Sequence, residues 1–211
     1  MAGRVITVAQ QKGGSGKTTV AVNLAVALRG RGVSVALLDT DPQGSMGRWY
    51  LERLERRGED EALEFGTSSA WGASYESEKL RKRFDYVIID TPPKIDSDLR
   101  PALRVADLVV VPVATSQVDL WATEGVLDLA RREKCDTLIV LNRTRANTRL
   151  TGDVAQGAAE LGAEVADAQL ANRVAYAETL GQGLGAGESS RNAAARAEID
   201  ALLDEVVARI G

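Results

Sequence analysis

Short runs of β-branched and aliphatic residues alternate along this chain with longer stretches whose apolar positions recur every three or four residues. The first pattern predicts strands covered on both faces, and the second predicts helices with one buried side. Residues 5–9, 33–38, 86–89, 108–113 and 137–141 read as strands. Residues 18–29 read as a helix, with Val20, Leu24 and Leu28 on one face and Gly30 and Gly32 as its stop. Further helices are expected over 44–57, 120–133, 153–161 and 190–210, and a short one after Arg173. The charged stretch 52–64 is expected to face solvent. Strand and helix in alternation predict an α/β fold, a mostly parallel twisted sheet with helices on both faces. No repeat, low-complexity segment or linker divides the chain, so residues 1–211 are expected to form a single domain.

Composition removes several kinds of chemistry. The chain has 211 residues, one cysteine (Cys135) and no histidine. A disulfide framework, a Cys/His zinc site and a histidine base are therefore excluded. Cys135 reads as a small residue beside a strand rather than a reactive thiol. The first residues are too few before the glycine-rich segment for a signal peptide. No apolar run approaches the roughly 20 residues of a membrane span. A cytoplasmic protein is expected. The net charge of −4 argues against a surface coated with positive charge but allows a local basic patch.

Residues 11–19, Gln-Lys-Gly-Gly-Ser-Gly-Lys-Thr-Thr, carry the clearest chemistry. They lie between the first strand and the first helix and end as a phosphate-binding loop ends, in Gly16-Lys17-Thr18. Gly13, Gly14 and Gly16 let the backbone curl so that successive N–H groups, including those of Ser15 and Thr19, point at phosphate oxygens. The helix start adds its positive end. Lys17 can reach the β- and γ-phosphates, and the Thr18 hydroxyl can ligate Mg²⁺. A P-loop NTPase that hydrolyses ATP with Mg²⁺ is the expectation.

Three carboxylates sit at the C-terminal ends of strands, the edge where ligands bind in parallel sheets. Asp90 ends Tyr-Val-Ile-Ile-Asp and is placed to hold the Mg²⁺ shell. Asp39 and Asp41 are two residues apart, so both leave the strand on one side unless the backbone bends. One could orient the attacking water while the other supports the metal.

These segments resemble the ParA/MinD family of ATPases. Residues 12–18, Lys-Gly-Gly-Ser-Gly-Lys-Thr, are similar to its deviant Walker A box, marked by the extra lysine at Lys12. Residues 38–44 resemble its Walker A′ box, and residues 87–93 its Walker B box and second switch. Residues 111–123 are similar to the stretch after the next strand in small ParA proteins. The resemblance implies a homodimer with ATP sandwiched between subunits, in which Lys12 contacts the phosphates bound by the other copy. It also implies Asp41 as the water-positioning residue, Asp39 near Mg²⁺ and Asn142 at the adenine. The implied partners are nonspecific DNA and a ParB-like or cargo-adaptor protein that stimulates hydrolysis, and the implied location is the nucleoid.

Within that family a partition or positioning ATPase is the expected role. A MinD-like membrane regulator would end in a basic amphipathic helix. Here the stripe Ile199, Leu202, Leu203, Val206, Val207 and Ile210 is flanked by Glu198, Asp200, Asp204 and Glu205, which anionic lipid repels. Packing in a core or dimer suits it better. One cysteine cannot build the shared cluster of an iron–sulfur ATPase, and residues 11–12 and 39–43 favour partition over a metabolic enzyme of similar fold. Candidate DNA contacts are Arg143, Arg145, Arg149, Arg173, Arg191 and Arg196, which would meet phosphates without reading sequence. An additional helix-turn-helix domain before residue 5 is not expected.

Overall fold

The computed structural model describes residues 2–93, 98–145 and 149–211, the side chains of 149–151 excepted. Its strands are β1 (Arg4–Val8), β2 (Val35–Asp39), β3 (Leu63–Thr67), β4 (Tyr86–Asp90), β5 (Leu108–Ala114), β6 (Thr137–Thr144), β7 (Glu164–Val165) and β8 (Leu170–Ala171). Its helices are α1 (Lys17–Gly30), α2 (Ser45–Arg57), α3 (Ala73–Leu80), α4 (Arg100–Arg104), α5 (Gln117–Glu133), α6 (Arg149–Glu160), α7 (Val174–Leu180) and α8 (Ala193–Ile210).

Successive strand residues enter different cores, which is why the strands read as continuous apolar runs. Ile6, Val8, Leu37, Ile88, Val110 and Val140 pack with Leu24 and Leu28 of α1 and with Leu202, Leu203 and Val206 of α8. Their neighbours Val5, Leu38, Val87 and Ile89 face the other way, onto Leu80 of α3 and Ala102 of α4. Val109, Val111, Ile139 and Leu141 continue that second face onto Val126 and Leu127 of α5 and Val154 and Ala158 of α6. The strands pair in the order β3-β2-β4-β1-β5-β6-β7, with β8 also on β6, and every described pairing is parallel. β1 lies centrally between β4 and β5, where the winding reverses direction, and such a reversal opens a crevice at the strand C-termini.

The stretch 52–64 corrects the solvent-facing expectation at two points. Arg53 is buried and forms a bidentate pair with Glu188, at 2.8 and 3.0 Å. Leu63 is buried as the first residue of β3, whose Phe65 stacks on Tyr50 with ring centroids 5.0 Å apart. Both depend on partners the local charge pattern does not reveal. The apolar stripe of α8 is absorbed by the core: Ile199, Leu202, Leu203, Val206 and Ile210 are all buried. No helix of the described residues is long and apolar enough to cross a membrane. Cys135 is half-buried with its Sγ donating to the Leu103 carbonyl at 2.8 Å, and burial lifts the thiol to about 11. At that value it is a poor nucleophile.

Candidate nucleotide site

The glycine-rich segment follows β1 and delivers the chain into α1 at Lys17. Gly14 (φ 75°) and Gly16 (φ 96°) adopt left-handed conformations that favour glycine. At Gly16 space forbids a side chain as well, because a Cβ would stand 2.2 Å from Nδ2 of Asn142. With Gly13, Lys17, Thr18, Thr19, Asp41 and Gln43, these glycines line a cavity of about 290 Å³. Lys17 is buried in it, and burial lowers its pKa while Asp90 and Asp41 oppose the shift.

Register brings the carboxylates beside the loop. Asp90 pairs with Val8 across β1–β4 and with Asp39 across β2–β4, so the three strand ends are level. The Thr18 hydroxyl donates to Asp90 Oδ2 at 2.6 Å. Asp90 Oδ1 and Ser15 Oγ are buried and find no hydrogen-bond partner among the described residues. A buried polar atom without a partner is expensive, and these two flank the phosphate loop. The pair fits a ligand that brings both a cation and phosphate oxygens.

Burial pushes Asp90 up from 3.8 to about 7, although its bond from Thr18 and the nearby Lys17 oppose the rise. The folded chain thus favours the neutral acid, whereas the unfolded chain releases that proton near pH 4. The resulting stabilisation is complete below about pH 4 and lost as pH climbs through about 7. Asp90→Asn removes this dependence. Without nucleotide, its melting temperature is expected to exceed that of the wild type by on the order of 5 °C at pH 8. Thermal melts from pH 4 to 8 check this; parallel profiles for the two proteins would refute it.

Asp39, expected near Mg²⁺, is engaged with the backbone. Its Oδ1 accepts from the Asp41 N–H at 3.0 Å and its Oδ2 from the Gly47 N–H at 3.2 Å. It therefore fastens the bend after β2 and caps the start of α2. That bend separates the two aspartates: Asp39 is buried, whereas Asp41 is half-buried and lines the phosphate-loop cavity. Asn142, expected at an adenine, is likewise engaged within the protein. Its Nδ2 donates to the Ser15 carbonyl at 2.7 Å and its Oδ1 accepts from the Arg143 N–H at 2.9 Å. It braces the phosphate loop against the end of β6.

Lys12 is not among the residues lining the cavity of its own chain. Its Nζ donates to Asp119 Oδ2 at 2.8 Å, on the first turn of α5. Gln10 and Gln11 are tied to the same helix: Gln10 Nε2 donates to Thr123 Oγ1 at 3.0 Å, and Gln11 Nε2 donates to the Ala122 carbonyl. Positions 119, 122 and 123 share one helix face, so α5 carries the whole approach to the phosphate loop. Asp119 was missed by sequence reasoning. Its signal was present in Ser116-x-x-Asp119, a helix-start pattern in which the Ser116 side chain accepts from the Asp119 N–H at 3.2 Å.

The six arginines occupy different settings. Arg143 is exposed and lines the phosphate-loop cavity. Arg196 borders a separate cavity with Asn23, Arg29 and Arg53. Arg173 pairs with Glu198 at 2.6 Å. Arg145 and Arg191 are exposed, and the side chain of Arg149 lies outside the described residues.

A phosphate loop at the centre of a parallel sheet, with its threonine bonded to the aspartate of the adjoining strand, defines a P-loop nucleotide-binding protein. The family model of the CobQ/CobB/MinD/ParA nucleotide binding domain matches residues 6–186, and the chain belongs to that family. It is 28% identical over 209 residues to maintenance of carboxysome distribution protein A of Halothiobacillus neapolitanus, covering 96% of this chain and 95% of that protein. It is 38% identical over 151 residues to the chromosome-partitioning ATPase Soj of Thermus thermophilus, covering 60% of this chain and 59% of Soj. The fold resembles that of a Cyanothece McdA variant in complex with ATP, with a TM-score of 0.83 at 16% identity over 99% of this chain and 97% of that one.

Proposed function

We propose that this protein is an ATP-driven switch for DNA segregation or cargo positioning. ATP joins two copies, the joined pair holds DNA regardless of sequence, and a ParB-like or cargo-adaptor protein triggers hydrolysis and release. The observation that carries this reading is the different placement of two lysines: Lys17 is buried within its own cavity, while Lys12 is outside it, paired with Asp119 of α5.

Lys17 and the loop N–H groups bind the β- and γ-phosphates. Thr18 and Asp90 would hold Mg²⁺, which supplies charge neutralisation at the phosphates when bound. Asp41, at the cavity wall, orients the water that attacks the γ-phosphorus as the bond to the leaving oxygen breaks. Asp39 serves this step by holding the bend that presents Asp41. Lys12 exchanges Asp119 for the γ-phosphate bound by the second copy, where its charge offsets that gathering in the transition state.

The names of the two relatives, one concerned with carboxysome distribution and one with chromosome partitioning, support a positioning role; the proposed place of that role is the nucleoid. The exposed Arg145, Arg191 and Arg196 are the proposed DNA contacts, doubled in number by dimerisation. DNA mobility shifts with and without ATP test this reading. Binding should require ATP and weaken steeply with salt, and Arg191→Ala or Arg196→Ala should each reduce the salt slope by about 2, one contact being lost from each copy. Equal binding with and without ATP would count against a surface assembled by the dimer.

A further inference from the structure

β6 departs from regular pairing at one residue. Asn142 is opposite Leu170 of β8 and Thr144 is opposite Ala171, so two steps along β6 match one step along β8. Arg143 is the extra residue of this irregularity, and its φ of 55° is in the left-handed region, uncommon for a side chain of its size. In a regular strand, neighbouring side chains point to opposite faces. Asn142 points at the phosphate loop, so a regular Arg143 would be directed away from it. The irregularity instead places Arg143 on the wall of the same cavity, together with Gly13–Thr19 residues and Leu180 at the end of α7. The Asn142 side chain holds this geometry by accepting the Arg143 N–H. The Arg143 guanidinium has no hydrogen-bond or ion-pair partner among the described residues. A left-handed residue whose cation, unpaired among the described residues, belongs to the wall of a ligand cavity points to a functional arrangement.

We infer that Arg143 contacts the bound nucleotide outside the phosphate cradle, presenting its planar guanidinium to the base opposite the apolar side chain of Leu180. This rests on the ATP-binding reading above and removes Arg143 from the DNA-contacting set. A guanidinium over an aromatic base gives a favourable cation–π contact that an ammonium or a small side chain does not reproduce in shape.

The test is nucleotide affinity measured with a fluorescent ATP analogue for the wild type, Arg143→Gly and Arg143→Lys, with inorganic tripolyphosphate as competitor. Glycine accepts the positive φ, so Arg143→Gly keeps the backbone while deleting the cation, and melting of the nucleotide-free protein verifies its fold. The expected result is affinity for the ATP analogue about tenfold weaker in Arg143→Gly. Arg143→Lys should recover it only in part, and tripolyphosphate affinity should be unchanged in both. Unchanged affinity in Arg143→Gly overturns the inference alone, because wild-type binding remains. An equal loss for tripolyphosphate also overturns it, placing Arg143 on the phosphates. A wild type that binds no ATP analogue overturns both this inference and the reading beneath it. Weakened DNA binding at saturating ATP, with nucleotide affinity intact, returns Arg143 to the DNA.

Discussion

Asp41→Ala is expected to bind ATP and dimerise like the wild type while its ATP turnover falls by about 10²-fold or more. The geometry separates Asp41 from its two neighbours in role. Asp90 is buried against Thr18, and Asp39 is committed to the backbone N–H groups of Asp41 and Gly47. Asp41 is the half-buried carboxylate of the three, and it lines the cavity that contains Lys17. Removing it should therefore spare binding and impair the step that needs an oriented water. On the proposed cycle the defect is expected to yield a long-lived DNA-bound dimer, visible as slow release from DNA after excess ATP is removed. Turnover equal to the wild type would show that a different group positions the water.

Lys12→Ala is expected to abolish ATP-dependent dimerisation and partner-stimulated turnover while leaving ATP binding by the single chain within about twofold of normal. The cavity lining supports this split, since Lys12 is absent from it and Lys17 is part of it. Leaving Asp119 costs the partly exposed Lys12 an ion pair of about 1 kcal/mol, which on the proposed reading the partner's γ-phosphate offsets. Light scattering with ATP measures the outcome. Normal dimerisation of the variant would refute the role of Lys12 across the interface, whereas lost ATP binding would move Lys12 into its own site.

Both predictions could be framed from sequence, but the structure changed their terms. The spacing of Asp39 and Asp41 suggested two carboxylates on one side of a strand end. The chain bends between them, and the bend is held by one of the two. Asn142 was expected to meet a base; the structure shows a second engagement, with its amide bracing Ser15 from 127 residues away in sequence. The edge strand β3 escaped notice because its five residues follow a charged stretch and carry only Leu63 as a fully buried apolar side chain. Helices α3 and α4 are short, eight and five residues, too brief for a periodic pattern to stand out.

The phosphate loop was legible in the chain itself, because glycines, a lysine and a threonine at that spacing have local conformational and chemical consequences. The same holds for the central strands, whose unbroken apolar runs require cover on both faces. Tertiary structure alone decided where Lys12, Asp39, Asn142 and Arg143 direct their polar ends. Each has partners or cavity neighbours supplied by another element of the fold: Asp119 on α5 for Lys12, Gly47 on α2 for Asp39, the phosphate loop for Asn142, and the β8 mismatch for Arg143. A hydrogen bond is won by whichever group the fold brings within about 3 Å, and local sequence does not specify that distance. The loop that binds phosphate is thus a local property of residues 11–19, while the direction in which its second lysine points is a property of the folded chain.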